Sequence, residues 1–300
     1  MHGRTIDPGA GTTMRVTIVA GPDAAALSSA LAAAMAARAS LALVGAPGGG
    51  DPAGRATRGV DARLVATLGQ ARVVGCAGRA LVVVPPGGSA VAVAASVLSL
   101  AAGAPDVSLD GIVCAFDGPA VSTRLATGAD PCPPGHREAL AMADVVAIGR
   151  SGRLTGHGRR RVAAAVRAGN GHGRLAIPGI GRLPVSSMVD LQAWRGRLPA
   201  RTATQQVHRL EPSGPVEPVS LTGWYAALAA RHPGGIWRAQ GQLRSGDGLG
   251  FSVRGAGSVL VMSAEGEADE AHGGAGELAL VGQGFDGDEL RRSFRAQGGG

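Results

Sequence analysis

The sequence predicts an α/β protein: a doubly wound, mostly parallel sheet, followed by a smaller α+β carboxyl-terminal domain. Three observations predict it. Short apolar runs without alternation recur through the first two thirds of the chain, separated by segments with helical spacing, as strands buried on both faces of a parallel sheet do. The first such unit, residues 15–38, is strand, tight turn and helix in immediate succession. From about Arg201 the pattern changes to strands at short spacing with few helices, which marks a separate α+β unit. The resulting division is 1–14 as a polar, glycine-rich disordered tail, 15–200 as the α/β domain and 201–300 as the terminal domain.

Residues 15–20 are a β-branched run stopped by Gly21-Pro22, after which Asp23 reads as the cap of an alanine-rich helix with Leu27, Leu31 and Met35 on one stripe. Such turns often bind phosphate, because free amides and the positive end of the helix dipole point at them. A nucleotide-binding turn adds the pattern Gly-x-x-x-x-Gly-Lys-Ser/Thr. Here Gly21 opens the turn and Ser28, followed by Ser29, stands where a metal-binding hydroxyl would, but Ala26 and Leu27 replace the second glycine and the lysine. The P-loop-like frame is present and its charge is missing. A clamp supplied instead by Arg38, Arg79 or Arg150 is the alternative.

Residues 41–44 read as a second strand, 46–59 as a Gly/Pro/Arg loop, and 61–69 as a helix with Leu64 and Leu68 four apart. Residues 80–84 are an apolar strand ended by Pro85-Pro86-Gly87-Gly88, and 89–102 a buried helix. The apolar run 90–104 falls short of the ~20 residues that a membrane span needs. Strands over 111–116, ending at Asp117, and over 144–148 and 174–177 complete the sheet, with helices over 135–142 and 156–168 between them. The ligand site of such a sheet lies at the carboxyl ends of its strands. In the terminal domain, 205–210, 236–243, 250–253, 258–262 and 277–281 read as strands, and 221–230 as a helix carrying Trp224 and Tyr225. Asp286 and Glu289 form a capping box opening a last helix through Leu290 and Phe294.

All 29 basic residues are arginine, so no lysine can act as phosphate clamp or general base. The net charge of +7 invites nucleic acid as a partner, but eight aromatics and scattered arginines argue against a stacking platform. The run Arg159-Arg160-Arg161, beside Val162, Ala165 and Val166, reads as a solvated helix face. Cys76, Cys114 and Cys132 lack paired spacing, which fits a reducing compartment, and with no secretory signal or span the expectation is cytoplasmic. Cys132 and His136 offer a Cys-x-x-x-His pair, to which Cys76, His157 and His172 could add ligands; the bland alternative is that Cys114 is core and the histidines face solvent.

The segments HPGGIWRAQGQL (232–243) and ELALVGQGFDGDELRRSF (277–294), behind a nucleotide-binding-like domain, resemble the carboxyl-terminal domain of the CobW-type GTPases, with their Arg-Ala-Lys-Gly strand and final Ile-Gly strand leading to a helix. The resemblance extends over residues 15–296. It implies a P-loop GTPase fold, zinc or cobalt as cargo, metal homeostasis or metallochaperone activity, GTP with magnesium or else zinc as cofactors, and a metal-dependent client protein as partner.

Most functional positions that the resemblance implies are altered. Gly21 and Ser28-Ser29 match the phosphate loop, whereas Ala26 and Leu27 do not. The cysteine motif Gly-Cys-x-Cys-Cys meets Gly75-Cys76-Ala77-Gly78-Arg79, leaving Cys76 as the one thiol. The acidic switch Glu-Thr/Ser-x-Gly meets Val84-Pro85-Pro86-Gly87 and keeps only Gly87. The base-reading Asn-Lys-x-Asp meets Gly149-Arg150-Ser151-Gly152. Asp117 and Ala143-Asp144 agree with the family. A carboxylate at Asp23 would fill the anion site and repel phosphate. The expectation is a pseudo-GTPase acting as a binding or regulatory protein, with Trp237 and Arg238 either contacting a partner or packing in the strand with the arginine exposed. A divergent GTP-hydrolysing metallochaperone with arginine for lysine is the alternative.

Overall fold

The computed structural model of the chain describes residues 13–35, 41–45, 61–73, 78–133, 135–177, 188–189, 191–194, 207–267 and 276–298. The expected tail up to residue 12, the loop 46–59, Arg38 and Cys76 lie outside the described residues.

The first sheet has six strands, β1 (Met14–Ala20), β2 (Leu41–Gly45), β3 (Arg79–Val83), β4 (Val107–Asp117), β5 (Val145–Gly149) and β6 (Arg174–Ala176), in the order β2-β3-β1-β4-β5-β6. Every pairing is parallel. The apolar runs lack alternation because both faces are covered. Val16, Ile18 and Ala20 of β1 and Ile112, Cys114 and Phe116 of β4 enter one core. Val19, Val113 and Ala115, one residue out of phase, enter a second, with Ala24, Leu27 and Leu31 of α1 (Ala24–Met35).

The helices after α1 are α2 (Ala62–Val73), α3 (Ala90–Gly103), α4 (Gly118–Ala126), α5 (Arg137–Met142) and α6 (Gly156–Gly169). Asp61 caps α2 and Ser89 caps α3 through the amide of Ala92. The sequence pattern misses α4, whose signals are a cap from Asp117 to the amide of Ala120 and Pro119 in the first turn. It also starts β4 too late, because Ser108 and Asp110 interrupt the apolar run.

The second sheet is antiparallel, in the order β10-β9-β8-β11-β7, built from β7 (Val207–Leu210), β8 (Ile236–Arg244), β9 (Leu249–Ala256), β10 (Val259–Glu267) and β11 (Gly276–Gly282). One face buries Leu221, Trp224, Tyr225 and Leu228 of α7 (Pro218–Arg231) and Leu290 and Phe294 of α8 (Gly287–Arg295). The opposite face meets α3 and α5 of the first domain: Trp237, Ala256 and Val281 share a core with α3 and β4. This explains the composition of α3, where residues 90, 91 and 93–98 are all buried. A helix clasped between two sheets is apolar on every side. Among the described residues no helix is long and apolar enough to cross a membrane.

Candidate functional site

The carboxyl edge of the first sheet is where a ligand would sit, and the turn between β1 and α1 is its centre. Gly21 has φ +100°, and a Cβ there would stand 2.5 Å from the carbonyl oxygen of Ala115, so only glycine brings the turn this close to β4. The turn is stitched down: the amide of Asp23 donates to Ala115 O (3.2 Å), that of Ala24 to Gly21 O (3.2 Å) and that of Leu27 to Asp23 O (3.1 Å). Leu27 itself is 8% exposed and packs with Val19, Leu31, Leu81 and Val113. The position where a lysine would hold phosphate is therefore part of the core. Ser28, buried, donates its hydroxyl to Ala25 O (2.9 Å), and the exposed Ser29 does the same (3.0 Å). Neither hydroxyl presents itself to a metal ion across the turn.

The expected cap from Asp23 is corrected: its carboxylate accepts no hydrogen bond from the first turn of α1. It turns instead toward the end of β5, where a Cβ on Gly149 would lie 3.2 Å from its Oδ2. Burial and the neighbouring Asp117 carboxylate push its pKa up, and Arg150 pulls against them. Arg150, in the left-handed region at φ 50°, donates from Nε to Asp117 Oδ1 at 2.5 Å. The site thus holds two carboxylates around one guanidinium that Asp117 already engages. An approaching phosphate would meet more negative than positive charge.

The remaining positions fit a phosphate and magnesium no better. Val84 is buried and its amide donates to Val19 O (2.9 Å); Gly87, at φ +77°, is the third residue of a turn closed from the amide of Gly88 to Pro85 O (2.9 Å). No carboxylate replaces the acidic switch there. Arg79 opens β3 at the amino edge, the far end of the sheet from Gly21. The residues present do not fit a magnesium-bound nucleoside triphosphate.

The candidate metal ligands that are described form no metal site either. Cys76 lies outside the described residues. Cys132 is buried, and burial with the nearby Asp130 pushes its thiol up to about 12. Cys114 is core, as read from its strand. His136 is half-buried and His157 exposed on α6. His172 is not solvent-facing at its ring: its Nε2 is buried without a partner, and burial and Arg238 lower its pKa to about 3. Among the described residues no group of three or more His, Cys, Asp or Glu could hold a metal ion.

The largest departure concerns Trp237 and Arg238, which are each 2% exposed and lie in the seam between the sheets, not on an outer surface. Arg238 reaches the first domain at the amino edge, bonding Asp144 Oδ1 (2.6 Å) and the carbonyl oxygens of Met142 (2.9 Å) and Ala193 (3.2 Å), with Gln240 beside it and its guanidinium 4.3 Å over the Trp194 ring. Asp144 Oδ2 accepts from the amide of Ile112 (2.9 Å) and Nε1 of Trp194 (3.2 Å). A second carboxylate, Asp110, holds the amides of Leu191 and Gln192. Sequence reasoning missed this network; the one available signal was an arginine flanked by Trp237 and Ala239 in β8.

Comparison with known proteins agrees with this architecture. Residues 206–297 match the cobalamin synthesis protein cobW C-terminal domain family. A sequence comparison with curated proteins gives no match. Among solved structures, the Zn(II)-bound YjiA GTPase from E. coli superposes with a TM-score of 0.65 at 10% identity, covering 95% of this chain and 98% of that one. A Zn(II)-bound triple mutant of the YjiA GTPase gives 0.65 at 11% identity, covering 94% and 98%. Residues 206–297 are thus similar to the cobW carboxyl-terminal domain, and together with the α/β domain before them they share the fold of the YjiA GTPase.

Proposed function

We propose that this chain is a pseudo-GTPase of the CobW type, a binding or regulatory protein of zinc or cobalt homeostasis that keeps the two-domain body without turning over GTP. The observation that carries the reading is Leu27, which belongs to the core where a phosphate-binding cation would stand. Phosphoryl transfer needs positive charge on the β- and γ-phosphates, and a P-loop enzyme supplies it by lysine and magnesium. Here the lysine, the acidic switch and the free hydroxyl are lost together, and Asp23 and Asp117 add charge of the wrong sign. The Pro85–Gly88 turn leads directly into α3, on which the second sheet rests, so the part that a nucleotide would move is a closed turn carrying two prolines. The zinc of the YjiA structures supports the metal side of the reading. GTP turnover by the pure protein above a blank without enzyme, abolished by Ser28→Ala, would sink it.

A second reading is favoured by one observation: Arg150 stands at the same edge with its side chain 55% exposed. In that reading the chain is a divergent GTP-hydrolysing metallochaperone, and Arg150 leaves Asp117 to take the place of the lysine. Calorimetry with Mg·GTP, Mg·ATP and zinc separates the two. Nucleotide binding that Arg150→Met abolishes supports the second; no binding at millimolar nucleotide removes it.

A further inference from the structure

We propose that the exposed face of α6, with the 3-10 turn Ser151–Arg153 before it, is a docking surface for duplex nucleic acid, gripped through its phosphodiester backbone. The arginines of this face lie within one short stretch, Arg153 to Arg167. Between residues 118 and 173 eight arginines stand against three carboxylates, an excess of five out of the chain's seven. Arg153, Arg160, Arg161 and Arg167 are exposed and Arg159 half-buried, while Val162 and Val166 face the core. None of the five pairs with a carboxylate among the described residues. The contrast is with Arg137, Arg209, Arg231, Arg238 and Arg291, each of which does.

The two exposed helices of similar kind show that this is not the chain's habit. Helix α8 obeys the dipole rule: Asp286 caps it, Asp288 and Glu289 fill its first turn, and Arg292 and Arg295 its last. Helix α6 breaks the rule at its amino end, with no acid in its first turn and Arg159, Arg160 and Arg161 close to its positive end, while Arg167 in its last turn follows it. A local rule broken without a compensating contact marks a surface shaped for something else. Clustered guanidinium groups beside a helix amino end suit phosphate oxygens.

The chemistry of the surroundings selects the partner. A protein partner would be anchored by apolar or aromatic groups. The exposed large apolar residues among those described are Val219 and Leu249, both in the second domain. No Phe, Trp or Tyr occurs between Phe116 and Trp194, so α6 and the chain on either side of it supply no large ring for a base to stack on, and single-stranded nucleic acid is disfavoured. Charge without anchors or rings fits a duplex backbone, bound without regard to sequence.

The test is fluorescence anisotropy of the full chain with a labelled random DNA duplex of roughly 20 base pairs, titrated at several salt concentrations between about 50 and 200 mM. Five phosphate contacts predict that log K falls against log salt with a slope of about −4.5. The variant R159Q/R160Q/R161Q should flatten it to about −1.8, whereas R291Q/R292Q/R295Q on α8, with the same change of charge, should leave it unchanged. The variant R159K/R160K/R161K, which keeps the charge, should retain the slope and guards against a folding defect, which a thermal melt checks directly. Three results would overturn the proposal: no binding at the lowest salt, equal flattening by both glutamine variants, or poly-glutamate competing as well as unlabelled duplex at equal charge.

Discussion

At the amino edge of the first sheet Asp144 and Arg238 are buried from solvent, and each bonds partners from both domains or the segment between them. At the carboxyl edge Asp117 and Arg150 make the same kind of pair, but the arginine is half exposed and the third charge, Asp23, has no hydrogen bond to the turn it follows. One edge is a satisfied network that joins two domains; the other is the outline of a ligand site whose charges answer one another. The difference teaches that the contacts joining the two domains are satisfied within the chain, whereas the charges at the carboxyl edge stay partly open to solvent.

The largest effect should come from breaking the buried edge. Arg238→Met leaves Asp144 uncompensated and should cost about 3–5 kcal/mol in urea unfolding followed by tryptophan fluorescence. If the loss is no greater than that of Arg150→Met, whose exposed ion pair should contribute far less, the contrast between the edges fails. Next in size is Gly21→Ala, where positive φ and the approach to Ala115 O should cost about 2–3 kcal/mol by the same assay. Leu27→Lys, which restores the missing cation, should cost roughly 2 kcal/mol through the lost core contact, with no heat of Mg·GTP binding. Binding gained without that loss would mean the turn is still a cradle.

The smallest effect is the pH dependence of Asp23. A carboxyl whose folded pKa is raised binds its proton more tightly in the folded state, so stability falls as pH rises from the ordinary carboxylate value through the raised one. Asp23→Asn should remove that fall and be slightly stabilising at neutral pH, the effect being damped by solvent screening. A fall of stability in the opposite direction over that window would contradict the placement of Asp23 beside Asp117.

The fold was legible because its signals are local. Unalternating runs mark the parallel strands, and the apolar α3, with no polar side, could only be clasped on both faces. Helix α4 was missed because Gly118-Pro119 resembles a stop, although Asp117 before a first-turn proline also begins helices. The candidate site was legible only in its departures from the phosphate-loop pattern: Leu27 stands where that pattern has lysine, but nothing near Asp23 says that its carboxylate turns away from the helix toward Gly149. Arg238 defied the default that arginine is exposed, because its carboxylate lies 94 residues away and only the fold brings it near. The basic face of α6 shows in the sequence as three consecutive arginines within a stretch that has no acid between Asp144 and Asp190.

The central claim is that the carboxyl edge no longer holds a nucleotide, and calorimetric titration of the whole chain with Mg·GTP tests it most directly. The account predicts no saturable heat up to millimolar nucleotide, for the native protein and for Ser28→Ala alike. Saturable binding by the native protein that Ser28→Ala abolishes would contradict it.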